Sequence, residues 1–563
     1  MNPPMPRQFR VAILTAHDEE RELRNLVRRV AAVPGVEIAG VLRSQATARP
    51  LVRIRNYWRR HGTPAFVFNL AYQAVLVAAS VGRRLTDRLL GSLRPLRSQP
   101  TLEQSLRQLN AGEVRVASFR GLAAVDALRA LDADLGVVWG TPILGPELFS
   151  IPRLGCINIH LAALPRYRGA GPVGLWEVID GQREVGVSVH RVDSGLDTGE
   201  VLGADTIAIE PFDTLRSLRV KATLAAHRVC ANVIAGMARS GEQPCSPSAV
   251  ARPDRFPLRR SLDRLTLERW TRRFRRQYGP PRRNRWEGAR AAAAALFLFV
   301  AWIRRGGGRP RGPLPALVLT YHLIADRDHY LGLSTDEFID HLEYLTGHYR
   351  IASLDEVVST VRTGAAEEPI AGITFDDGYA ENAGWGRELC ELYDVPFTVF
   401  VCADLVDGRI PLPRPQSNAT PSMDVAELRA LADEDVEIGS HTCSHADCGD
   451  PSNWPEIPAS RRKLEAVLGR PVRFFSFPYG EPHNCPAAAR PIVAAAGYDA
   501  AFTAFGGANF VGDDLLTLKR VLVPRIGGRV RLEAAIQGWM PGRWLAARRQ
   551  VTAARPGAAG TDR

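Results

Sequence analysis

Short apolar β-type runs alternating with helix-like stretches occur twice along this chain, and a segment dominated by arginine, glycine and proline separates the two series. In residues 10 to 250 the runs VAILTA, VEIAGVL, VRVASF and LGVVWG read as buried strands, and EERELRNLVRRVAAV reads as a helix between the first two. Such alternation argues for a parallel α/β sheet. A second series begins at Leu317 with ALVLTYH, IAGITFDDGY, PFTVFV, DVEIGSH and VRFFSFPYG. The chain of 563 residues is long enough for two or three domains, each with its own core. The predicted organisation is an α/β domain over 8–250 with a helical insertion at about 46–110, a basic linker over 251–313, a second α/β domain over 314–545, and a disordered tail over 546–563.

The formal net charge of +12 is concentrated between Arg252 and Arg311, as in RWTRRFRRQYGPPRRNR. Clustered arginines favour phosphate-rich partners: nucleic acid, anionic lipid or a polyprenyl phosphate. The same region holds AAAAALFLFVAWI, Ala291 to Ile303, between Arg290 and Arg304. Thirteen residues are too few for a comfortable span, while flanking charges and Trp302 suit a helix lying in a membrane interface. A buried helix joining two domains is the alternative. In the insertion, TPAFVFNLAYQAVLVAASV carries no charge, but Asn69, Gln73 and Ser80 favour a helix packed on the domain or lying at an interface over a span. The eight cysteines form no CxxC pair and no tight framework, which suggests reduced thiols and a cytoplasmic setting. The start of the chain shows no secretory signal.

GITFDDGY sets Asp376 and Asp377 side by side where a strand should end. Neighbours on a strand point to opposite faces, and adjacent carboxylates repel. Two roles resolve this, one carboxylate holding a cation while the other takes protons; a polar turn bent at Gly378 is the plain alternative. About sixty residues later, VEIGSHTCSHADC places His441 and His445 at i and i+4, so both imidazoles reach one cation if the segment turns helically. A carboxylate and two imidazoles form a first-row metal site with open positions, where a bound water becomes nucleophilic near neutral pH.

TFDDGY, HTCSH and FPYG resemble, in order, the motifs of NodB-type polysaccharide deacetylases, carbohydrate esterase family four, over roughly residues 314 to 540. The resemblance implies a distorted (β/α) barrel, with Asp376 as general base and Asp377, His441 and His445 holding a divalent metal, zinc. It also implies that the backbone N–H of Tyr479 supports a tetrahedral oxyanion. The chain departs from the pattern twice. FFSFPYG lacks the arginine usual in that motif, and no late Leu-x-His motif lies near residue 520. Some exopolysaccharide-type members place the acid at the domain's N-terminal end, which makes His322 of LTYHLIAD the candidate acid; a core histidine beside Tyr321 is the alternative. Arg525 of VPRIGG is the candidate partner for Asp376.

In GCINIHLAALPRYRGAGP, Asn158 and His160 are two apart and face the same side of a strand. An amide donor beside an imidazole can stabilise an oxyanion while a proton moves. Asp197 of VDSGLDTGEVL is a carboxylate that could hold His160 in one tautomer. Asn-x-His, LPRYRG and LDTG resemble, in order and spacing, the formyltransferases that use 10-formyltetrahydrofolate, the family of methionyl-tRNA formyltransferase. The match is loose over 10–120 and close over 130–220. It implies a Rossmann-like domain with Asn158, His160 and Asp197 as the catalytic set, and folate over the adjacent sheet edge near WGTPILGPEL. A tRNA formyltransferase continues into a C-terminal β-barrel, whereas CSPSAVARPDR leads straight to the basic linker, so a sugar amine is the expected acceptor and nucleic acid an unlikely partner.

The expectation is a bifunctional enzyme of amino-sugar or glycolipid metabolism acting on an amino-sugar nucleotide, a lipid-linked sugar or a polysaccharide. It would combine N-formyl transfer with metal-dependent N-deacylation, peripherally on the inner face of an anionic membrane. The alternatives are formylation of methionyl-tRNA, and a membrane-associated binding protein whose deacetylase domain is degenerate.

Overall fold

Six of the seven residues of β1 (Phe9–Thr15) are buried, and a strand covered on both faces belongs in the middle of a sheet. The computed structural model describes residues 8–44, 101–169, 171–210, 213–240, 269–274, 316–324, 331–364, 368–406, 421–523 and 528–537, with a few positions between 293 and 300. The chain forms two compact units, Met1–Val81 with Pro100–Pro280, and Gly82–Gln99 with Pro281–Arg563.

In the first unit β1 is joined by β2 (Val36–Ser44), β3 (Glu113–Val116), β4 (Leu135–Trp139), β5 (Cys156–His160), β6 (Glu184–Arg191) and β7 (Val201–Ala208), in the order β3-β2-β1-β4-β5-β6-β7. The four runs picked out from the sequence are β1 to β4, all parallel. The sheet is not parallel throughout, because β6 runs antiparallel to both β5 and β7. Residues 192–200 alone connect β6 to β7, too few for the crossover a parallel pair needs. The helix Glu20–Ala31 buries Leu23, Leu26, Val27 and Val30, one face at helical spacing. The long helix Leu215–Ser240 packs on β6 and β7. Of the expected insertion, the described part includes the helix Leu102–Gln108, capped by Thr101 and Gln104 in a capping box.

In the second unit the strands are β8 (Ala316–Tyr321), β9 (Leu323–Ile324), β10 (Gly332–Leu333), β11 (Arg350–Ile351), β12 (Ile370–Phe375), β13 (Phe397–Val401), β14 (Glu437–Ser440), β15 (Phe474–Ser476), β16 (Ala500–Gly506) and β17 (Leu518–Leu522). β12 to β17 follow one another in parallel, β17 pairs with β8, and β8 pairs back with β12, closing a barrel of seven strands. β11 lies outside the closed ring, on β12. Phe400, Phe474, Phe502 and Leu518 pack in one buried cluster with Val357 and Val361 of the helix Leu354–Thr363. The residues picked out as chemistry-bearing all follow the C-terminal ends of strands: His322 after β8, Asp376 and Asp377 after β12, His441 after β14 and Tyr479 after β15. That is the end at which parallel barrels build their sites.

Among the described residues no helix is long and apolar enough to cross a membrane. Thr63–Val81 lies wholly, and Ala291–Ile303 mostly, outside the described residues, as do Arg525 and the tail.

Two candidate active sites

The ladder of β12 extends one residue past its end, with Asp376 N donating to Tyr321 O at 3.0 Å. The chain then takes two successive left-handed steps, Asp377 at φ 74° and Gly378 at φ 78°. A side chain in that conformation is disfavoured by about 1–2 kcal/mol, which the surrounding contacts must offset. The turn breaks the strand's alternation, so the two neighbouring carboxylates need not point to opposite faces.

Asp377 Oδ1 lies 3.5 Å from His441 Nε2 and 3.3 Å from His445 Nε2. One ligand atom from each of the three falls within 4.8 Å of the others, the spacing a single cation requires. Asp377 Oδ1 is also buried without a hydrogen-bond partner, and a buried carboxylate oxygen left in that state fits a cation ligand. His441 Nδ1 donates to Ser476 O at 2.8 Å, which leaves the Nε2 lone pair facing the cluster. Burial works to raise the Asp377 pKa, but the imidazoles of His441 and His445 outweigh it and hold the carboxyl well below its usual range. The segment from His441 to His445 is a turn, not the helical turn expected: Thr442 and His445 both have φ 62°. The i, i+4 pair converges through left-handed backbone instead of helix periodicity.

Asp376 is gripped in a bidentate fork. Arg520 on β17 donates from Nη1 to Asp376 Oδ1 at 2.7 Å and from Nη2 to Oδ2 at 2.6 Å. The same guanidinium donates to Thr503 O at 2.7 Å and to Ser476 Oγ at 2.7 Å. Burial raises the Asp376 pKa, and the Arg520 charge more than reverses that, so the carboxylate stays ionised. Arg520 therefore takes the place proposed for Arg525, and it also reaches Ser476 of the FFSFPYG stretch. His322 is half-buried, and its backbone oxygen accepts from Asn382 Nδ2 at 2.7 Å. Burial lowers its pKa, and the charges of Asp377 and Asp376 oppose the shift. Tyr479, at φ 61° and 38% exposed, sits at the rim with its ring edge-on to His445, centroids 4.6 Å apart.

In the first unit, Asn158 on β5 stands opposite His190 on β6 in the antiparallel register. His190 Nδ1 donates to Arg191 O at 2.7 Å, so Nε2 accepts, and Asn158 Nδ2 donates to it at 3.0 Å. The amide of Asn158 is thereby fixed with its nitrogen inward. Burial, then the neighbouring His160, lowers the His190 pKa and keeps the ring neutral. Asp197 Oδ1 lies 3.8 Å from His160 Nδ1 and 3.7 Å from His190 Nε2, and Asp197 Oδ2 accepts from Gly169 N at 2.9 Å. Asp197 faces His160 from the Nδ1 side, at ion-pair and not hydrogen-bond distance. His160 Nε2 donates to Tyr167 O at 2.8 Å, and that carbonyl fixes the ring. A cleft beside these groups is lined by Thr141, Pro142, Ile143, Asn158, His190 and Asp197. The segment WGTPILGPEL thus borders the cleft from the end of a central strand, β4, and not from a lateral edge. His190 was not singled out from the sequence, because only the antiparallel pairing of β5 with β6 brings it opposite Asn158.

Comparison with known proteins gives two family matches. Residues 96–234 match the formyl transferase family and residues 363–501 the polysaccharide deacetylase family, so both domains are present in one chain. The methionyl-tRNA formyltransferase of Burkholderia pseudomallei (strain 1106a) is 39% identical over 173 residues, covering 31% of this chain and 49% of that protein. The chain spans half or less of the length of such curated relatives. Among solved structures, the Streptococcus pyogenes deacetylase PplD in complex with acetate is similar at 19% identity, covering 41% of this chain and 100% of that one, with a TM-score of 0.35. The phosphoribosylglycinamide formyltransferase from Bacillus halodurans is similar at 17% identity, covering 41% of this chain and 97% of that one, with a TM-score of 0.28.

Proposed function

We propose that the formyl transferase and polysaccharide deacetylase domains of this chain form a bifunctional enzyme of amino-sugar or glycolipid metabolism, which formylates a sugar amine from 10-formyltetrahydrofolate and hydrolyses an N-acyl group. The observation that carries this reading is the pairing of an Asn158–His160–Asp197 constellation, suited to making an N-acyl bond, with an Asp376–Asp377–His441–His445 constellation, suited to breaking one. In the first, the acceptor amine attacks the formyl carbon while Asn158, its amide oriented by His190, donates to the developing oxyanion. His160 moves the proton from the attacking nitrogen toward the departing folate nitrogen.

In the second, Asp377, His441 and His445 would hold the divalent cation, with zinc expected, which supplies an activated water and polarises the acyl oxygen. Asp376, held ionised by Arg520, takes the proton of the attacking water. The backbone N–H of Tyr479 supports the oxyanion, and His322 delivers a proton to the leaving amine. The arginine-rich stretch and Ala291–Ile303 support peripheral attachment to the inner face of an anionic membrane, and with it a lipid-linked substrate.

Nucleotide-linked and lipid-linked amino sugars, free, N-acetylated and N-formylated, offered to wild type and two variants, test the reading. Asn158→Ala should abolish folate-dependent formylation alone, and His441→Ala deacylation alone. A second reading rests on the curated matches, which are methionyl-tRNA formyltransferases. Efficient formylation of initiator methionyl-tRNA, with no activity on any amino sugar, would put that reading in place of the first.

A further inference from the structure

Between the two metal-facing imidazoles the backbone adopts a shape its own residues disfavour. Thr442, a β-branched residue, and His445 both sit at φ 62°, where only glycine is at ease. The polar groups of this turn are satisfied from two sides. Thr442 O accepts from Ala403 N at 3.1 Å and Cys443 O from Asp404 N at 2.8 Å, which ties the turn to the end of β13. On the other side a single carboxylate takes three donors of the turn. Glu456 Oε2 accepts from Cys443 N at 3.0 Å and from Ser444 N at 2.9 Å, and Oε1 accepts from Ser444 Oγ at 2.8 Å. Glu456 opens the helix Glu456–Leu468, and the residues before it continue the grip: Trp454 Nε1 donates to Cys448 O at 3.0 Å and Asn453 Nδ2 to Asp447 O at 2.9 Å.

We propose that Glu456 is a positioning residue for the metal centre. By accepting three hydrogen bonds from the turn between His441 and His445, it fixes the left-handed backbone that aims both Nε2 atoms at Asp377, and so sets the affinity of the site for a divalent cation. The inference rests on the metal reading of Asp377, His441 and His445. Glu456 does not touch the cation; its effect passes through the geometry of the turn. A glutamine can reproduce that geometry, its carbonyl accepting from the two N–H groups while its amide donates to Ser444 Oγ, whose hydroxyl rotates to accept. An aspartate keeps the charge but falls one methylene short. A hydrogen-bonding clamp and a mere charge effect therefore predict opposite orders for the two variants.

The test is the Zn²⁺ dissociation constant of the full chain, measured by competition with a chromophoric chelator, for wild type, E456Q, E456D and H441A. Thermal melts of each metal-free protein accompany it. E456Q should bind within about threefold of wild type and E456D about 10–100-fold more weakly, the range typical of lost outer-sphere support. The metal-free melts should coincide, because a purely structural role would move them too. E456D binding as tightly as wild type overturns the clamp, in favour of charge if E456Q is the weak binder, and E456Q binding as weakly as E456D overturns the claim that accepting these hydrogen bonds is what sets the affinity. If E456D melts early, S444A takes its place: it deletes one of the three bonds and leaves the helix intact. Affinity below wild type then supports the clamp and unchanged affinity overturns it. Wild type binding zinc no better than H441A is a failure of the metal reading itself, visible before any Glu456 variant is compared.

Discussion

Arg520 carries its charge with no exposed surface, and its fork onto Asp376 is a buried, bidentate ion pair. Removing one partner of such a pair leaves a buried, uncompensated charge, at a cost of about 3–5 kcal/mol. Arg520→Met should lower the urea midpoint accordingly, and adding Asp376→Asn should restore part of the loss, a coupling that urea titrations of the two single variants and the double variant measure. Asp376→Asn alone should retain metal on elemental analysis yet lose hydrolysis by orders of magnitude, because the base is gone while the ligands remain. In the other unit, His190 has a pKa below its ordinary 6.5, so its neutral form is favoured by folding. Its contribution to stability is complete above about pH 6.5 and is lost as pH falls through the folded value. Formyl transfer should fall over the same acid window, since a protonated Nε2 cannot accept from Asn158. His190→Leu should lower kcat by about 10-fold or more, with KM for folate little changed, and flatten that limb of the pH profile. The residues legible in the sequence are those whose partners lie nearby along the chain or in the order of a family's motifs: Asp376 and Asp377, His441 and His445, Asn158 and His160. Arg520 and His190 were not legible. They are separated from Asp376 by 144 positions and from Asn158 by 32, and only strand pairing brings them home.

Strands β1, β4, β8, β12 and β13 are readable because burial on both faces gives each a largely apolar run, whereas β17 mixes Lys519 and Arg520 into the pattern and hides. What no run of residues announces is how loops are fastened. Ser188 on β6 donates to Ala162 O at 2.9 Å and accepts from Leu164 N at 3.0 Å, stitching the loop after His160 to the sheet. Gly186, on the same strand, leaves the space that loop needs: an added Cβ would stand 2.7 Å from Ala163 Cα and 2.8 Å from its N. Gly186→Val should therefore destabilise the first unit by about 1–3 kcal/mol by overpacking, with formyl transfer lost in parallel and hydrolysis spared, a split that paired activity assays and denaturation resolve. The linker makes its own prediction at this scale. Apolar burial of Ala291–Ile303 and about 1 kcal/mol per arginine near anionic lipid should add, so deleting 291–303 should move the protein from the membrane to the soluble fraction on flotation.

An open seven-stranded sheet carries one constellation and a closed seven-stranded barrel the other, so the two chemistries should be separable without cutting the chain. Chelation should silence hydrolysis and leave folate-dependent formylation at wild-type rate; loss of both would mean that formyl transfer also depends on a metal. The barrel has a further consequence in time. Asp376, Asp377, His441, His445 and Tyr479 all leave the ribosome before Arg520, which sits on β17, the strand that closes the ring onto β8. A nascent chain halted between Tyr479 and Leu518 contains every ligand and the base, yet it lacks both the final strand and the guanidinium that tethers Asp376. Closure of the barrel and the pairing of Asp376 with Arg520 thus coincide late in translation, and hydrolysis is expected only once the last strand is in place, not by increments as each motif emerges.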